Sequence, residues 1–424
     1  MRDFFITNPN NDIILTFMVT IISVITTIGG VGGGGLLIPI FMLIGGFELI
    51  ESIPLTILTI FGDTLTRIFF LYNKKHPLSE KRDLIYFSPL LLISLFDANS
   101  SFFGVILSNF TPSLLTIISL LLILSITFYK SIKKAINTYL NELKYLKDPN
   151  AGLRLVIIDG IGEYFKIDDL ENNDNFIIDV KEEINDNLEI IIYDGIEAPI
   201  EFGDSQKEKY FNTFLMFFNL GIISIFSFTR KYFKICNYYY WIHTLGQFLI
   251  TSVLGYYTIN YILHDYKTKK NNNYKFINGD INWNYIVIKK FIFIGTITGF
   301  VSTYIGIGGG MLITPIMIQV GMLPEVVVAT SSISTLCSCI ISSVNYFSAG
   351  ELPIIYGSYF AVCSGIGSIG GIYLSDYILN KYKKQSPIIF TVSLIVFLSI
   401  ILLTVNAVNS NLIYDNTFKD LCSI

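Results

Sequence analysis

Charged residues are scarce in this chain of 424 residues. Lys, Arg, Asp and Glu make up 15% of the sequence, whereas 52% of the residues are hydrophobic and the mean hydropathy is +0.58. Soluble domains carry about 25% charged residues, so this composition excludes an ordinary soluble domain. The formal net charge of −4 shows no basic excess. A nucleic-acid partner therefore has no electrostatic basis.

Residues that build metal and catalytic centres are also few. The chain has three histidines and five cysteines, and the cysteines show neither a paired zinc spacing nor the framework of a secreted disulfide-rich protein. No Ser/His/Asp set is visible, and "GGVGGGG" is not a P-loop because no Lys-Ser/Thr follows it. We predict that the protein is not an enzyme and has no cofactor and no metal.

Long apolar runs are abundant instead. A membrane-spanning helix needs about 20 mostly apolar residues, and helices are the expected spanning form because the bilayer offers backbone groups no water. The candidate segments are residues 13–46, 49–72, 84–107, 114–129, 211–228, 238–263, 286–321, 326–347, 354–373 and 388–408. The first run is too long for the core of a signal peptide. We predict an all-α, multi-pass integral membrane protein in contact with the lipid bilayer; which membrane and which oligomeric state stay open.

An internal repeat relates two distant parts of the chain. "IGGVGGGGLLIPIFMLIGG" (28–46) and "IGIGGGMLITPIMIQVG" (305–321) align with a shift of 276 residues (315 − 39). The shift places Gly30, Gly32, Gly33, Gly34, Pro39 and Gly45 on Gly306, Gly308, Gly309, Gly310, Pro315 and Gly321. Each copy is followed by three apolar segments. Repeats whose membrane segments are interrupted by glycine and proline at matching places indicate a transporter binding site.

The repeat divides the chain into five regions. They are a first transmembrane repeat (1–129), a hydrophilic inter-half loop (130–209), linking transmembrane helices (210–265), a polar linker (266–285) and a second transmembrane repeat (286–424). The inter-half loop starts basic and amphipathic, then turns acidic with short β-like runs, "LRLVIID" and "LEIIIYDG". It is either a solvated loop or a small β-rich regulatory module.

Charge at the loops favours inverted repeats. Basic clusters at 74–82, 130–147, 267–290 and 381–384 are expected on the cytoplasmic side. "SAGELP" (348–353) has no Lys or Arg, although it stands in half two where half one has "NKKHPLSEKR". Three basic residues, Arg230, Lys231 and Lys234, fit this scheme poorly, because counting membrane segments along the chain places them on the non-cytoplasmic side. In an inverted arrangement, each Gly-rich segment forms a broken helix or hairpin.

The glycine runs can create an anion site. A half-helix that restarts after the glycines presents unsatisfied N–H groups and a positive dipole end, and the lack of Cβ lets a ligand approach the backbone. We expect the half-helix starts at 32–35 and 308–310 to hold the anion, with Pro39 and Pro315 in their first turns. The alternative is that the glycines serve only close helix packing.

Other polar groups inside apolar segments are further candidates. Asp63 and Arg67 lie four residues apart on one helix face. Arg67 could hold an anion while Asp63 positions it or couples protons, or the two could form a self-contained ion pair that reaches towards Lys74. Asp97 could carry a proton or lie at a helix kink. His243, four residues before Gln247 on the same helix face, could relay protons or have a hydrogen-bonded packing role.

Hydroxyl and amide groups follow the second glycine run and could donate hydrogen bonds to an oxyanion. They are Gln319, Thr330, Ser331, Ser332, Ser334 and Thr335. The alternative for these side chains is hydrogen bonding between helices, a common use of Ser and Thr in membranes.

The paired "GxGGGxxxxP" motifs resemble the TauE/SafE sulfite exporter family, the DUF81-type anion permeases. "GIGGGMLITPIMIQVGMLPEVVVATSSISTLCSCIISSVNYF" is similar to that family's Gly-rich segment and the Ala-Thr/Ser run after it. His76-Pro77, the "CNYYYWIHTLGQ" segment and the hydrophilic central loop resemble the eukaryotic, plant-like branch. The resemblance implies transport of sulfur-containing anions such as sulfite, thiosulfate or an organosulfonate, coupled to protons. Half one departs from the pattern, with Glu48 and Pro54 where half two has Pro324 and Thr330, so the halves need not contact substrate equally.

The sequence therefore predicts a secondary transporter of small anions that works by alternating access. The substrate would lie between the glycine runs, assisted by Thr330, Ser331, Ser332 and Arg67, and a carboxylate such as Asp63 or Asp97 would couple transport to a proton gradient. Two alternatives remain: an uncoupled anion channel, and a membrane sensor or scaffold acting through the 130–209 loop.

Overall fold

The protein is a bundle of α-helices with one short β-hairpin. The structure, a computed structural model, describes residues 9–77, 79–147, 206–233, 235–272, 274, 276, 279–382 and 386–409. Within these residues the helices are α1 (Pro9–Gly29), α2 (Gly34–Leu43), α3 (Leu49–Leu71), α4 (Phe87–Phe110), α5 (Ser113–Lys147), α6 (Gln206–Thr229), α7 (Tyr238–Asn271), α8 (Tyr285–Ile305), α9 (Gly310–Val320), α10 (Pro324–Ala349), α11 (Ile354–Tyr382) and α12 (Ser386–Asn409). Strands β1 (Lys75–His76) and β2 (Ser79–Asp83) pair antiparallel between α3 and α4.

The prediction of a polytopic all-α membrane protein is confirmed. Nine of the described helices are long and apolar enough to cross a membrane, and α2 and α9 are shorter apolar helices. One of the ten predicted segments, 238–263, lies in α7. This helix is long but not apolar enough to be counted among the nine.

The repeat is visible in the helix boundaries. α1 ends at Gly29 and α8 at Ile305, and α2 and α9 begin at Gly34 and Gly310, so both boundaries recur after 276 residues. The breaks follow from the glycines: Gly30, Gly33, Gly306 and Gly308 have φ of 66°, 70°, 77° and 72°. This left-handed region is open to glycine and costly for other residues.

Each broken segment folds back as a hairpin. In the first, Tyr356 contacts both ends: its hydroxyl lies 3.4 Å from Asp12 at the start of α1, and its ring lies 5.1 Å from the ring of Phe47, just after α2. In the second, Gly279 before α8 lies beside Leu323 after α9, where an added Cβ would be 3.2 Å from the Leu323 nitrogen. α2 therefore returns along α1, and α9 returns along α8. We call these pairs the first and the second hairpin.

The helix directions show that the repeats are inverted. α3 and α11 run parallel, because Thr59 and Asp63 meet Ser364 and Ser368 in the same order. The β-hairpin reverses the chain between α3 and α4.

α4 and α10 are also parallel. Tyr86 hydrogen-bonds to Thr330 at one end of this pair, and Ser101 to Asn345 further along. The equivalent helices α3 and α10 therefore run in opposite directions. The two hairpins enter from opposite ends of the bundle.

The distribution of basic residues agrees with this arrangement. We call the end that carries β1 and β2 the basic end. Lys74 pairs there with Asp376 near the end of α11, and Lys269 of α7 pairs with Glu208 of α6. Arg230, which fitted the charge pattern poorly, lies towards the other end but is only 5% exposed. Because the side chain is buried, Arg230 does not indicate on which side of the membrane this loop lies.

The inter-half loop is described only in part. α5 continues through the predicted boundary at 129 and ends at Lys147. Both β-like runs, "LRLVIID" and "LEIIIYDG", lie outside the described residues. The five-region division of the chain stays a prediction.

Cysteines are used in two ways. Cys337 and Cys339 are buried free thiols within α10, as expected of small apolar side chains. Cys236, just before α7, is disulfide-bonded.

Candidate functional site

The tips of the two hairpins pack against each other in the interior. A Cβ added to Gly34 would lie 2.5 Å from the backbone of Ile307, and one added to Gly310 would lie 3.4 Å from the Gly32 nitrogen. All residues from Gly29 to Phe41 and from Thr303 to Pro315 are buried. The sequence predicted the two glycine runs separately, and the structure brings them into direct contact.

Two helices hold the tips from the sides. Ile60 of α3 packs against both tips, because a Cβ added to Gly32 or to Gly308 would lie 2.9 Å from its side chain. The hydroxyl of Thr335 on α10 closely contacts Gly310. Since α3 and α10 are equivalent helices, the tips are supported in a nearly symmetric way.

The tips carry backbone N–H groups that the helices do not use. In α2, the amides of Leu36 and Leu37 are the first to hydrogen-bond, both to the Gly33 carbonyl, at 2.9 and 3.0 Å. The corresponding first bond in α9 is from Met311 to Gly308. Among the described residues, the amides of 32–35 and 307–310 make no backbone hydrogen bond. Such amides at a helix start could bind an anion.

The predicted hydroxyl groups divide between two roles. Ser331 and Thr314 both donate to the Gly30 carbonyl, at 3.3 and 3.2 Å, and thereby hold the first hairpin tip to the second half. Thr335 also lies at the tip. Ser332 instead donates to the carbonyl of Val328 within its own helix. Sequence reasoning missed Thr314, because its equivalent in half one is Ile38.

Other predicted residues lie away from the tips. Thr330 accepts a hydrogen bond from the Tyr86 amide at 3.0 Å and so fixes the start of α4. Gln319 is exposed at the end of α9. Pro39 and Pro315 are the sixth residues of α2 and α9, in the second turn and not in the first.

Asp63 and Arg67 form a buried ion pair on α3. Arg67 is 0% exposed and Asp63 2% exposed, so the pair does not extend towards Lys74 at the surface. Asp63 also accepts a hydrogen bond from Thr27 of α1 at 2.9 Å. Only one guanidinium nitrogen of Arg67, Nη2, reaches Asp63, while Nε and Nη1 have no partner among the described residues. Buried N–H groups without an acceptor are costly, and an anion would satisfy them.

Asp97 lies in the interior between α4, α8 and α10. It is 0% exposed, and its Oδ2 accepts a hydrogen bond from Ser338. Its Oδ1 has no partner in the described part of the chain. α4 runs without interruption from Phe87 to Phe110 through this position.

His243 lies far from the tips in a packed environment. It hydrogen-bonds to Thr229 at 2.9 Å, and its ring centre is 4.9 Å from that of Phe226. Gln247, one turn on, accepts from the buried Arg230, whose guanidinium lies 3.7 Å from the ring centre of Phe102. The packing alternative for His243 therefore agrees with the geometry. No sequence pattern indicated that Arg230 joins this network.

A polar cleft of about 870 Å³, including its open mouth, lies at the basic end. Arg82 pairs there with Asp280 at 2.9 Å, and Lys209 with Asp83 at 3.3 Å. Burial lowers the pKa of Lys269, but Glu208 and Asp265 raise it more, so its pKa lies above the ordinary value and the side chain stays charged.

The cleft does not favour anions. Its acidic lining residues, Asp83, Glu208, Asp265 and Asp280, outnumber the basic Arg82, Lys209 and Lys269. Its ion pairs connect half one to the segment that precedes half two. No cluster of His, Cys, Asp and Glu suited to a metal ion occurs among the described residues.

Comparison with known proteins agrees with these features. The profile of the family "Sulfite exporter TauE/SafE" matches residues 291–413, which contain most of the second hairpin. Sulfite exporter TauE/SafE family protein 2 of Arabidopsis thaliana is 25% identical, over 90% of this chain and 80% of its own length. Family protein 1 of the same plant is 24% identical with the same coverage. No solved structure matches the chain. The paired hairpins, the nine membrane-spanning candidates among the described helices and these matches along most of the sequence support assignment of the chain to the TauE/SafE sulfite exporter family, to whose members it is similar.

Proposed function

We propose that the protein is a secondary transporter of small sulfur-containing anions, such as sulfite, thiosulfate or an organosulfonate, and that it works by alternating access with proton coupling. The observation that carries this proposal is Arg67, a fully buried guanidinium with two nitrogens that no described residue accepts from. A buried cation of this kind suits an oxyanion, because guanidinium N–H groups match oxyanion geometry. Relatives named as sulfite exporters support the substrate class.

The anion is proposed to lie between the hairpin tips and Arg67. Thr27 connects the two parts, since it is in the last turn of α1 and donates to Asp63. The free amides of 32–35 and 307–310 supply further donors without charge. In this arrangement Asp63 positions Arg67 and keeps its charge balanced when the anion is absent.

The inverted hairpins support alternating access. Each hairpin enters from its own end of the bundle, so a movement that exposes the tips to one end has a symmetry-related counterpart that exposes them to the other. The tips are buried from both ends here, so this conformation is occluded. Movement of either hairpin against α3 and α10 would open a path.

Flux into liposomes tests the proposal. Purified protein is reconstituted, and uptake of sulfite, thiosulfate, sulfoacetate and acetate is measured with and without a pH gradient. We expect saturable uptake of the sulfur anions that a gradient accelerates. Ohmic current without saturation would support a channel instead. Unchanged flux after replacement of residues 148–205 by a short Gly/Ser linker would exclude the sensor alternative.

Two leucine variants test the position of the site. A Cβ on Gly309 would lie 2.8 Å from the Ser338 hydroxyl, whereas one on Gly221, exposed on α6, meets nothing within 4 Å. We expect Gly309→Leu to abolish uptake and Gly221→Leu to leave it unchanged. Equal uptake by the two variants would remove the hairpin tips from the proposed site.

A further inference from the structure

Two buried carboxylates of the first repeat, Asp63 and Asp97, each lie beside a different hairpin. Asp63 is on α3 and accepts a hydrogen bond from Thr27 of α1, and Asp97 is on α4, where its backbone packs against Gly299 of α8, next to Thr298. Since α1 and α8 are the equivalent first arms of the hairpins, each carboxylate lies beside the long arm of one hairpin. The repeat alignment could not show this, because α4 corresponds to α11 and not to α3.

The two carboxylates differ in their charge balance. Asp63 has its own cation in Arg67, whereas no described Lys, Arg or His forms an ion pair with Asp97. The ionisable groups that face Asp97 are the thiols of Cys337 and Cys339 on α10. α8 contributes Thr298 and no charge. A carboxylate buried without a cation is strongly disfavoured in its charged form, so Asp97 is better suited than Asp63 to bind a proton.

Asp97 is connected to the tip of the second hairpin. Ser338 donates to its Oδ2, and the same hydroxyl fills the space beside Gly309. Cys339, next along α10, is within electrostatic reach of Asp97, Asp63 and Arg67. An ionised Asp97 would therefore repel an anion held at Arg67 and the tips.

We propose that Asp97 carries the coupled proton, one for each anion, and that Ser338 is the positioning residue that links its protonation to the hairpin tip. This inference rests on the proposed transport function. The proton passes from water at one end to Oδ1 of Asp97 and is released to water at the other end, and no other bond changes. Protonation removes the repulsion, so anion and proton bind together and cross in the same direction.

Thiosulfate uptake as a function of pH tests this assignment, because the charge of thiosulfate does not change over the range used. In the wild type, the apparent affinity should rise as the pH falls from about 8 to about 5.5, with a limit of about tenfold per pH unit for one linked proton. Asp97→Asn mimics the protonated acid and keeps an acceptor for Ser338. Its affinity should be high and independent of pH, and uptake should no longer be driven uphill by a pH gradient.

Two further variants keep the test decisive. Asp376→Asn removes an acid that is 41% exposed and pairs with Lys74 at the basic end, and it should retain the wild-type pH dependence. Ser338→Ala leaves the carboxyl in place, and it should move the midpoint of the pH profile without flattening the profile. Even if Asp97→Asn did not fold, an unmoved profile in Ser338→Ala would overturn the role of Ser338.

The outcomes separate the two proposals. Absence of wild-type flux with every anion would reject the transport function itself. Wild-type flux together with an undiminished pH dependence in Asp97→Asn would reject only the assignment of the proton to Asp97.

Discussion

Contact between the hairpin tips gives the sharpest test of the fold. Gly34 begins α2, and a Cβ built on it would lie 2.5 Å from the Cα, the carbonyl carbon and the oxygen of Ile307 in the other tip. Gly34 is not among the glycines with positive φ, so Gly34→Ala causes no backbone strain of its own. The variant therefore reports only on the space between the two tips.

The magnitude follows from the nature of the obstacle. Overpacking a well-packed interior costs about 1–3 kcal/mol. Backbone atoms cannot rotate away as a flexible side chain does, so we expect about 3 kcal/mol for Gly34→Ala. Exchange of glycine for alanine within a helix otherwise gains about 0.5–1 kcal/mol. Gly221 supplies the matched control, because a Cβ there meets nothing within 4 Å.

The unfolding temperature of both variants in detergent, together with thiosulfate flux in liposomes, measures this difference. Gly34→Ala should unfold several degrees below the wild type and lose transport, whereas Gly221→Ala should unfold at the same temperature or slightly above it and transport normally. A Gly34→Ala protein as stable and active as the wild type would refute the contact between the tips.

Two other predictions concern ion pairs, and a third concerns the orientation of the repeats in the membrane. Arg67→Gln should leave Asp63 buried without a cation and lower the stability by about 3–5 kcal/mol; Asp63→Asn/Arg67→Gln should recover the unfolding temperature but not the flux, and recovered flux would show that Arg67 does not hold the anion. Arg82→Asp and Asp280→Arg should each reduce stability by about 1–3 kcal/mol because both side chains are 13% exposed, and the double variant should restore it, as thermal unfolding would show. Single cysteines at Lys81 and at Glu351 should react with an impermeant thiol reagent from opposite sides of a vesicle; labelling of both from one side would contradict the inverted repeats.

Much of the fold could be predicted from the sequence, because its signals are local. Apolar runs set the membrane helices, and the glycines at 30, 33, 306 and 308 end α1 and α8 because only glycine adopts their positive φ at low cost. The shift of 276 residues between Pro39 and Pro315 identified the repeat, and it recurs in the helix boundaries. The distribution of basic residues among the loops favoured inverted repeats. The cluster that fitted this distribution poorly contains Arg230, which is buried.

The candidate site was less predictable. The sequence grouped Gln319 and Thr330 with the hydroxyls at the tips, but a helix rises about 1.5 Å per residue, and nine residues carry Gln319 from the start of α9 to its exposed end. Ser338 was missed because its partner, Asp97, is distant in sequence.

The sequence by itself determined the membrane location, the helix breaks and the twofold repeat, since each depends on residues within one segment. Only the tertiary structure decided which groups meet: the two tips against each other and, among the described residues, Arg67 with one nitrogen paired and two unpaired and Asp97 without a cation. Burial and pairing depend on the crossing of helices far apart in the chain. Whether a buried aspartate or arginine belongs to a structural ion pair, an anion site or a proton carrier can therefore be proposed only once its neighbours in space are known.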